Sequence, residues 1–97
     1  MGGFCGVISE GDCVSDLFYA TDYHSHLGTR RGGMAMSAGN GVIKRRIHDI
    51  SNTPFRTKFG AESLALFSGC TSGIGVISDD DDQPLVVTSK FGTFAII

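Results

Sequence analysis

The stretch from residue 21 to residue 36 is the feature that most limits how this chain can fold. A helical pattern runs into Gly28, the paired Arg30 and Arg31 follow, and a glycine pair that begins at Gly32 leads into a new apolar run. Glycine after a periodic segment commonly ends a helix, and a glycine pair commonly precedes a strand. The segment therefore predicts a helix end, a polar corner and a strand start, and such corners often carry binding sites.

A second interpretation of this corner involves no site. In it His24 and His26 lie on the helix surface, the two arginines belong to a solvated loop, and the glycines serve only the turn. The residues of the corner do not decide between the two interpretations.

Length and composition exclude several classes of protein. With 97 residues the chain has room for one small domain, which we place at residues 1–97. Eight lysines and arginines against ten aspartates and glutamates give a net charge of −2, so no basic field attracts nucleic acid or an anionic membrane. The apolar runs are too short to span a bilayer, and the first residues lack the features of a secretion signal. We therefore expect a cytoplasmic protein.

The three cysteines are widely spaced, which fits neither a disulfide framework nor a zinc site. We expect reduced thiols, no bound metal and no cofactor. Cys13 and Cys70 are expected to be core residues, because free cysteine is among the most buried residue types.

Short apolar runs bounded by turn residues predict six strands, which are parts of 4–9, 33–38, 41–48, 73–78, 84–88 and 92–97. A 3.6-residue period predicts the main helix near 13–27, and a weaker pattern predicts a second helix over 61–68. Glycine and asparagine between the second and third strands predict a hairpin. The fold class is therefore α+β, an α/β sandwich of mostly antiparallel sheet with about two helices on one face.

The main helix is expected to begin near Asp12, which can cap it, and to carry apolar residues on two faces. One face holds Val14, Leu17, Phe18 and Thr21, and the other holds Tyr19, Tyr23 and Leu27. This width predicts packing against more than one neighbour.

Two charged clusters allow a site or a solvated surface. Lys44, Arg45 and Arg46 follow one another on a strand and could bind phosphate, and the aspartates at 79–82 could bind a divalent cation. We favour solvation for both, because adjacent like charges repel and lose hydration when they are buried.

Four motifs occur in an order that resembles a known family. They are Cys5-Gly-Val-Ile, the segment Leu27-Gly-Thr-Arg-Arg-Gly-Gly-Met-Ala, Ser72-Gly-Ile-Gly-Val and Gln83-Pro-Leu-Val-Val. Together they resemble the N-terminal part of class II glutamine amidotransferase domains, and most of all the amidophosphoribosyltransferases. The resemblance implies an N-terminal-nucleophile hydrolase fold, of which about the first half would be present. It also implies glutamine as the substrate, with ammonia passed to phosphoribosyl pyrophosphate in purine nucleotide synthesis.

The resemblance implies roles for particular residues. Cys5 would be the nucleophile, activated by its own free α-amino group, and would form a thioester with the glutamine side chain. Arg30, Arg31 and Gly32 match the family's His-Arg-Gly corner and would bind the substrate.

Three departures from the family pattern predict an inactive chain. Cys5 follows Met1-Gly-Gly-Phe, so its amine is in a peptide bond. The family's carboxylate-binding arginine is replaced within Ile77-Ser78-Asp79, and the sequence stops about where the oxyanion Asn-Gly would follow.

Three functions therefore compete. The first is a fragment of a glutamine amidotransferase, and the second is a catalytically silent module that regulates or binds subunits. The third is a phosphate or nucleotide binder that uses Arg30, Arg31 and the cations at 44–46. The sequence also predicts a homo-oligomer, because a final strand over 92–97 is expected to expose an apolar face or an unpaired edge.

Overall fold

The computed structural model describes residues 2–26, 30–39, 41–79, 82–90 and 92–97. The elements in chain order are β1 (Gly3–Ile8), α1 (Val14–Tyr23), a 3-10 turn (His24–His26), β2 (Arg31–Ser37), β3 (Ile43–Asp49), α2 (Phe55–Leu66), β4 (Ser72–Ser78), β5 (Leu85–Ser89) and β6 (Gly92–Ile96). Each of the six predicted strands matches one of these strands. The small α+β fold with two helices and mostly antiparallel sheets is confirmed.

Strands β1 to β4 form one antiparallel sheet in the order β1-β4-β2-β3. The predicted hairpin joins β2 to β3, and β4 inserts between β2 and β1. Strands β5 and β6 pair with each other as a separate two-stranded hairpin. In the four-stranded sheet β1 and β3 are therefore the edge strands.

Both helices pack on one face of this sheet and enclose the core there. The largest side chains of the core are Phe55, Phe59 and Phe67, each at most 1% exposed. Phe55 stacks on Phe59 with 4.3 Å between ring centroids, and on Phe18 of α1 with 5.7 Å. Burial of these apolar surfaces is the main force that holds the helices to the sheet.

Helix α1 is shorter than the sequence predicted and buries one face. It ends at Tyr23, and the predicted stop at Gly28 lies outside the described residues. The predicted first face is buried, whereas Tyr19 is 59% exposed and Tyr23 is 72% exposed. Tyr19 lies instead under Arg56, whose guanidinium carbon is 5.7 Å from the ring centroid. A phenol ring tolerates this position because its hydroxyl stays in water.

Helix α2 runs without a break over Phe55–Leu66, whereas the sequence predicted a helix only over 61–68. Its first turn forms as the N–H groups of Thr57 and Lys58 donate to the Pro54 carbonyl. An interior glycine costs about 1 kcal/mol relative to alanine. Burial of Phe55 and Phe59 on the same helix outweighs this cost, since a fully buried aromatic side chain contributes more.

The other face of the sheet is crossed by residues 83–84 and then by the β5–β6 hairpin. A Cβ atom on Gly33 of β2 would collide with the Gln83 carbonyl, so the segment lies directly on the strand. Arg45 of β3 donates to the Pro84 carbonyl, and β6 contacts β3. The chain therefore forms three layers, which are helices, four-stranded sheet and hairpin.

Candidate functional site

Cys5 lies in the middle of β1, with its side chain on the helix face of the sheet and half-buried. Its Sγ is 3.3 Å from Oγ1 of Thr21 on α1. The Thr21 hydroxyl donates its one proton to the Leu17 carbonyl at 2.8 Å. Thr21 therefore accepts, and the Cys5 thiol donates its proton to that oxygen. The partner of the Cys5 thiol in this contact is therefore a neutral hydroxyl.

Gly75 of β4 makes this contact possible. It lies beside Cys5 in the sheet, and a Cβ at Gly75 would collide with the Thr21 side chain. The absence of a side chain lets α1 approach the sheet closely enough for Thr21 to reach Cys5. The second glycine of the Gly-Ile-Gly motif therefore has a packing role here.

The backbone before Cys5 belongs to the sheet. Gly3 pairs with Ile77, and Phe4 pairs with Val76. A free α-amino group on Cys5 would require removal of these residues and of their pairing with β4. In the described structure the Cys5 nitrogen is a strand amide.

Arg31 lies on the opposite face of the sheet from Cys5. Gly75 of β4 faces Cys5 of β1 on one side and Met34 of β2 on the other. The side chains of Cys5 and Met34 therefore lie on the same face of the sheet, which is the helix face. Arg31 is three residues from Met34 on β2, and an odd number of steps along a strand reverses the face. The nucleophile and the cation that the family resemblance implies are therefore separated by the sheet.

The Arg31 guanidinium is held by two carboxylates. Its Nη1 is 2.9 Å from Asp49 Oδ2, and its Nε is 3.0 Å from Asp82 Oδ1. Hydrogen bonds from the Ser51 side chain and backbone, together with Arg31, lower the pKa of Asp49 from 3.8 to about 2. Asp49 is therefore ionised near neutral pH and remains paired with Arg31. A substrate carboxylate would have to displace these acids.

Arg30 and Gly32 have backbone and packing roles. Arg30 directly precedes β2, and its side chain is exposed. Its backbone N–H donates to the Ser78 carbonyl at 3.4 Å, and its carbonyl accepts from the Ile50 N–H at 2.8 Å. Gly32 is buried, and a Cβ there would lie 2.8 Å from a ring carbon of Phe55. The three residues that the family resemblance placed in a substrate site, Arg30, Arg31 and Gly32, therefore have different surroundings.

The cations at 44–46 do not form one patch. Lys44 donates to the Leu66 carbonyl, and Arg46 pairs with Glu62 at 2.8 Å, both toward α2. Arg45 lies between them on the other face of β3 and donates to Pro84. Alternation along the strand divides the three charges between two faces.

The remaining candidate residues have local partners. His24 bonds the Ala20 carbonyl through Nδ1, and His48 contacts Glu62 and the ring of Phe59. Within the described ranges, no group of three or more His, Cys, Asp or Glu side chains could hold a metal ion. Asp80 and Asp81 of the predicted acidic cluster lie outside the described residues, and Asp82 pairs with Arg31.

Cys13 and Cys70 are each 1% exposed. Burial raises the pKa of both thiols above that of a free cysteine. Their backbones are joined by a hydrogen bond from the Cys13 N–H to the Cys70 carbonyl. Both behave as the core residues that the sequence predicted.

Sequence reasoning missed the partners that define these surroundings. The sequence pattern predicted Thr21 on the apolar face of α1, but it did not indicate that Thr21 contacts Cys5, which lies 16 residues earlier in the chain. The sequence pattern also did not indicate a role for Asp49, which ends β3 opposite Arg31. The register of the β2–β3 hairpin could have revealed the Arg31–Asp49 pair, because opposite charges at facing positions of two strands attract.

Comparisons with family models, with curated proteins and with solved structures find no match to this chain. Among the described residues, neither helix has the length and apolar character needed to cross a membrane.

Proposed function

We propose that this chain is a catalytically silent module that resembles the N-terminal part of class II glutamine amidotransferases and acts through protein association. The order of helices, sheet and hairpin supports half of an N-terminal-nucleophile hydrolase-like sandwich as its fold. The three reduced cysteines support a cytoplasmic location.

The observation that carries the proposal is the separation of Cys5 from Arg31. If the resemblance held for function, one bound glutamine would have to contact both the Cys5 thiol and the Arg31 side chain. The register places these two groups on opposite faces of one sheet. A glutamine bound at the Cys5 thiol would therefore lie on the opposite face of the sheet from the Arg31 side chain.

Two local features support the same conclusion. The hydrogen-bond partner of the Cys5 thiol is the Thr21 hydroxyl, and a hydroxyl cannot act as the general base that activates a nucleophilic thiol. Arg31 is engaged by Asp49 at 2.9 Å and by Asp82 at 3.0 Å, so both acids already occupy its guanidinium group. Binding of a substrate carboxylate at Arg31 would have to offset the loss of these bonds.

An exposed apolar surface supports association as the alternative role. Leu85 faces Ile96 and Val87 faces Phe94 on the outer side of the β5–β6 hairpin. Each of these four side chains is between 45% and 52% exposed. Contiguous apolar surfaces of this kind mark interaction sites in soluble proteins.

Ammonia release from glutamine tests the proposal. The purified chain is expected to release no more ammonia than its Cys5→Ser variant, with intact mass measured on both samples to verify that residues 1–4 are retained. Glutaminase activity that is lost in the Cys5→Ser variant would contradict the proposal, and a mass lacking Met1 to Phe4 in the active sample would identify processing as the reason.

A further inference from the structure

We infer that β1 is the surface by which two copies of this chain pair, edge to edge, into a symmetric dimer. The inference deepens the proposed role in association, on which it rests, by naming the surface, the partner and the register.

Strand β1 is an edge strand without the features that protect an edge. It lies at the end of the order β1-β4-β2-β3, so one side of its backbone has no strand partner within the described sheet. Gly3–Ile8 contains no charged residue and no proline. Phe4 is 71% exposed and Ile8 is 86% exposed. Natural proteins protect free edges with charge, proline or bulges, and an uncharged apolar edge is a template for pairing.

The other edge of the same sheet is protected. Strand β3 carries Lys44, Arg45 and Arg46 in succession, and all three side chains are exposed. Two β3 edges brought together would place these cations against one another, which costs free energy. The contrast between the two edges selects β1 as the pairing strand.

A second copy fits β1 because the strand is complementary to itself. If Gly6 faces Gly6 across a two-fold axis, antiparallel pairing places Phe4 opposite Ile8 and Cys5 opposite Val7, each twice. The paired positions have the same parity, so exposed side chains meet exposed ones and half-buried side chains meet half-buried ones. An aromatic side chain opposite a β-branched one is a stabilising cross-strand pair.

This register also explains why assembly would stop at two copies. Two four-stranded sheets would join into one continuous antiparallel sheet, and both of its outer edges would be β3. A two-fold contact uses the same surface on each copy, so it closes. The cationic β3 edges then oppose further growth.

A charge placed in β1 tests the surface. In Ile8→Lys, an ammonium group would face Phe4 of the other copy, without a partner, at two places in the dimer. Analytical ultracentrifugation is expected to show a dimer for the unchanged chain and a dissociation constant at least about tenfold higher for Ile8→Lys, because an unpaired charge is costly to desolvate. The matched control, Leu64→Lys, alters a side chain on α2 that is 49% exposed and is expected to leave the constant unchanged.

Cysteine crosslinking tests the register. The Gly6→Cys variant is expected to form a disulfide-linked dimer through position 6 under mild oxidation, identified by mass spectrometry of its peptides. A Cβ at Gly6 meets only ordinary contacts, nearest 3.6 Å, so the variant should fold. An equimolar mixture of Phe4→Cys and Ile8→Cys chains is expected to form the mixed dimer. Gly11→Cys, in an exposed turn, serves as the control and should crosslink far more slowly.

The outcomes separate this inference from the proposed function. A dimer that survives Ile8→Lys but dissociates in Val87→Lys would overturn the β1 inference and keep association, through the outer face of the hairpin. A monomer at all concentrations would overturn the inference together with self-association. Glutaminase activity in an intact chain that dimerises through β1 would overturn the silent role alone.

Discussion

Replacement of Phe55 by alanine is expected to lower the free energy of unfolding by about 3–5 kcal/mol. Phe55 is 1% exposed, and it stacks between Phe59 on its own helix and Phe18 on α1. It also fills the space over Gly32, where a Cβ would already lie too close to its ring. The truncation removes both aromatic contacts and leaves a cavity where α1, α2 and β2 meet. Urea unfolding followed by circular dichroism measures the loss.

The matched control is Leu64→Ala on the same helix. Leu64 is 49% exposed, so its truncation removes little buried surface and is expected to change stability by less than about 1 kcal/mol. If the two variants unfolded at the same urea concentration, α2 would not pack on the sheet through the face described above.

The replacement of Gly33 by alanine is expected to destabilise the chain by about 1–3 kcal/mol. The added Cβ would collide with the Gln83 carbonyl and approach the Pro84 ring. Neither group can rotate away, because one is backbone and the other is a closed ring. Relief therefore requires residues 83–84 to move off β2. In thermal unfolding this corresponds to a midpoint lower by at least about 4 °C.

The same substitution at Gly60 is expected to have the opposite sign. Gly60 lies inside α2, its φ is not positive, and a Cβ there would meet no heavy atom within 4 Å beyond the adjoining helix backbone. Alanine there is expected to stabilise the chain by roughly 0.5–1 kcal/mol, because it favours the helix. Equal stability of Gly33→Ala and the unchanged chain would mean that residues 83–84 do not cover the sheet.

Local patterns were sufficient to predict most of the elements. The short apolar runs located every strand in the described residues, and the glycine between the second and third strands predicted the β2–β3 hairpin, where Gly39 has a φ of +87°. The predicted second helix began too late in the chain, because the low helix propensity of Gly60 is outweighed by the burial of Phe55 and Phe59 on the same helix. Tertiary burial overrode the local signal.

The site depended on information that local patterns do not contain. Strand β4 inserts between β1 and β2, and such long-range pairing is not visible in a short window of sequence. The face of each residue depends on register, and a slip of one residue would have moved Arg31 to the same face as Cys5. The motifs could therefore suggest which residues belong to a site, but they could not show whether the residues meet.

The central claim is that Cys5 lies on the helix face against Thr21, while Arg31 lies on the other face with Asp49. A carbon-edited NOESY spectrum of the isotopically labelled chain tests it most directly. The structure requires cross-peaks between the Cys5 β protons and the Thr21 methyl group, and between the side chains of Arg31 and Asp49. Cross-peaks between Cys5 and the Arg31 side chain would contradict the claim and return the chain to the class of possible glutamine hydrolases.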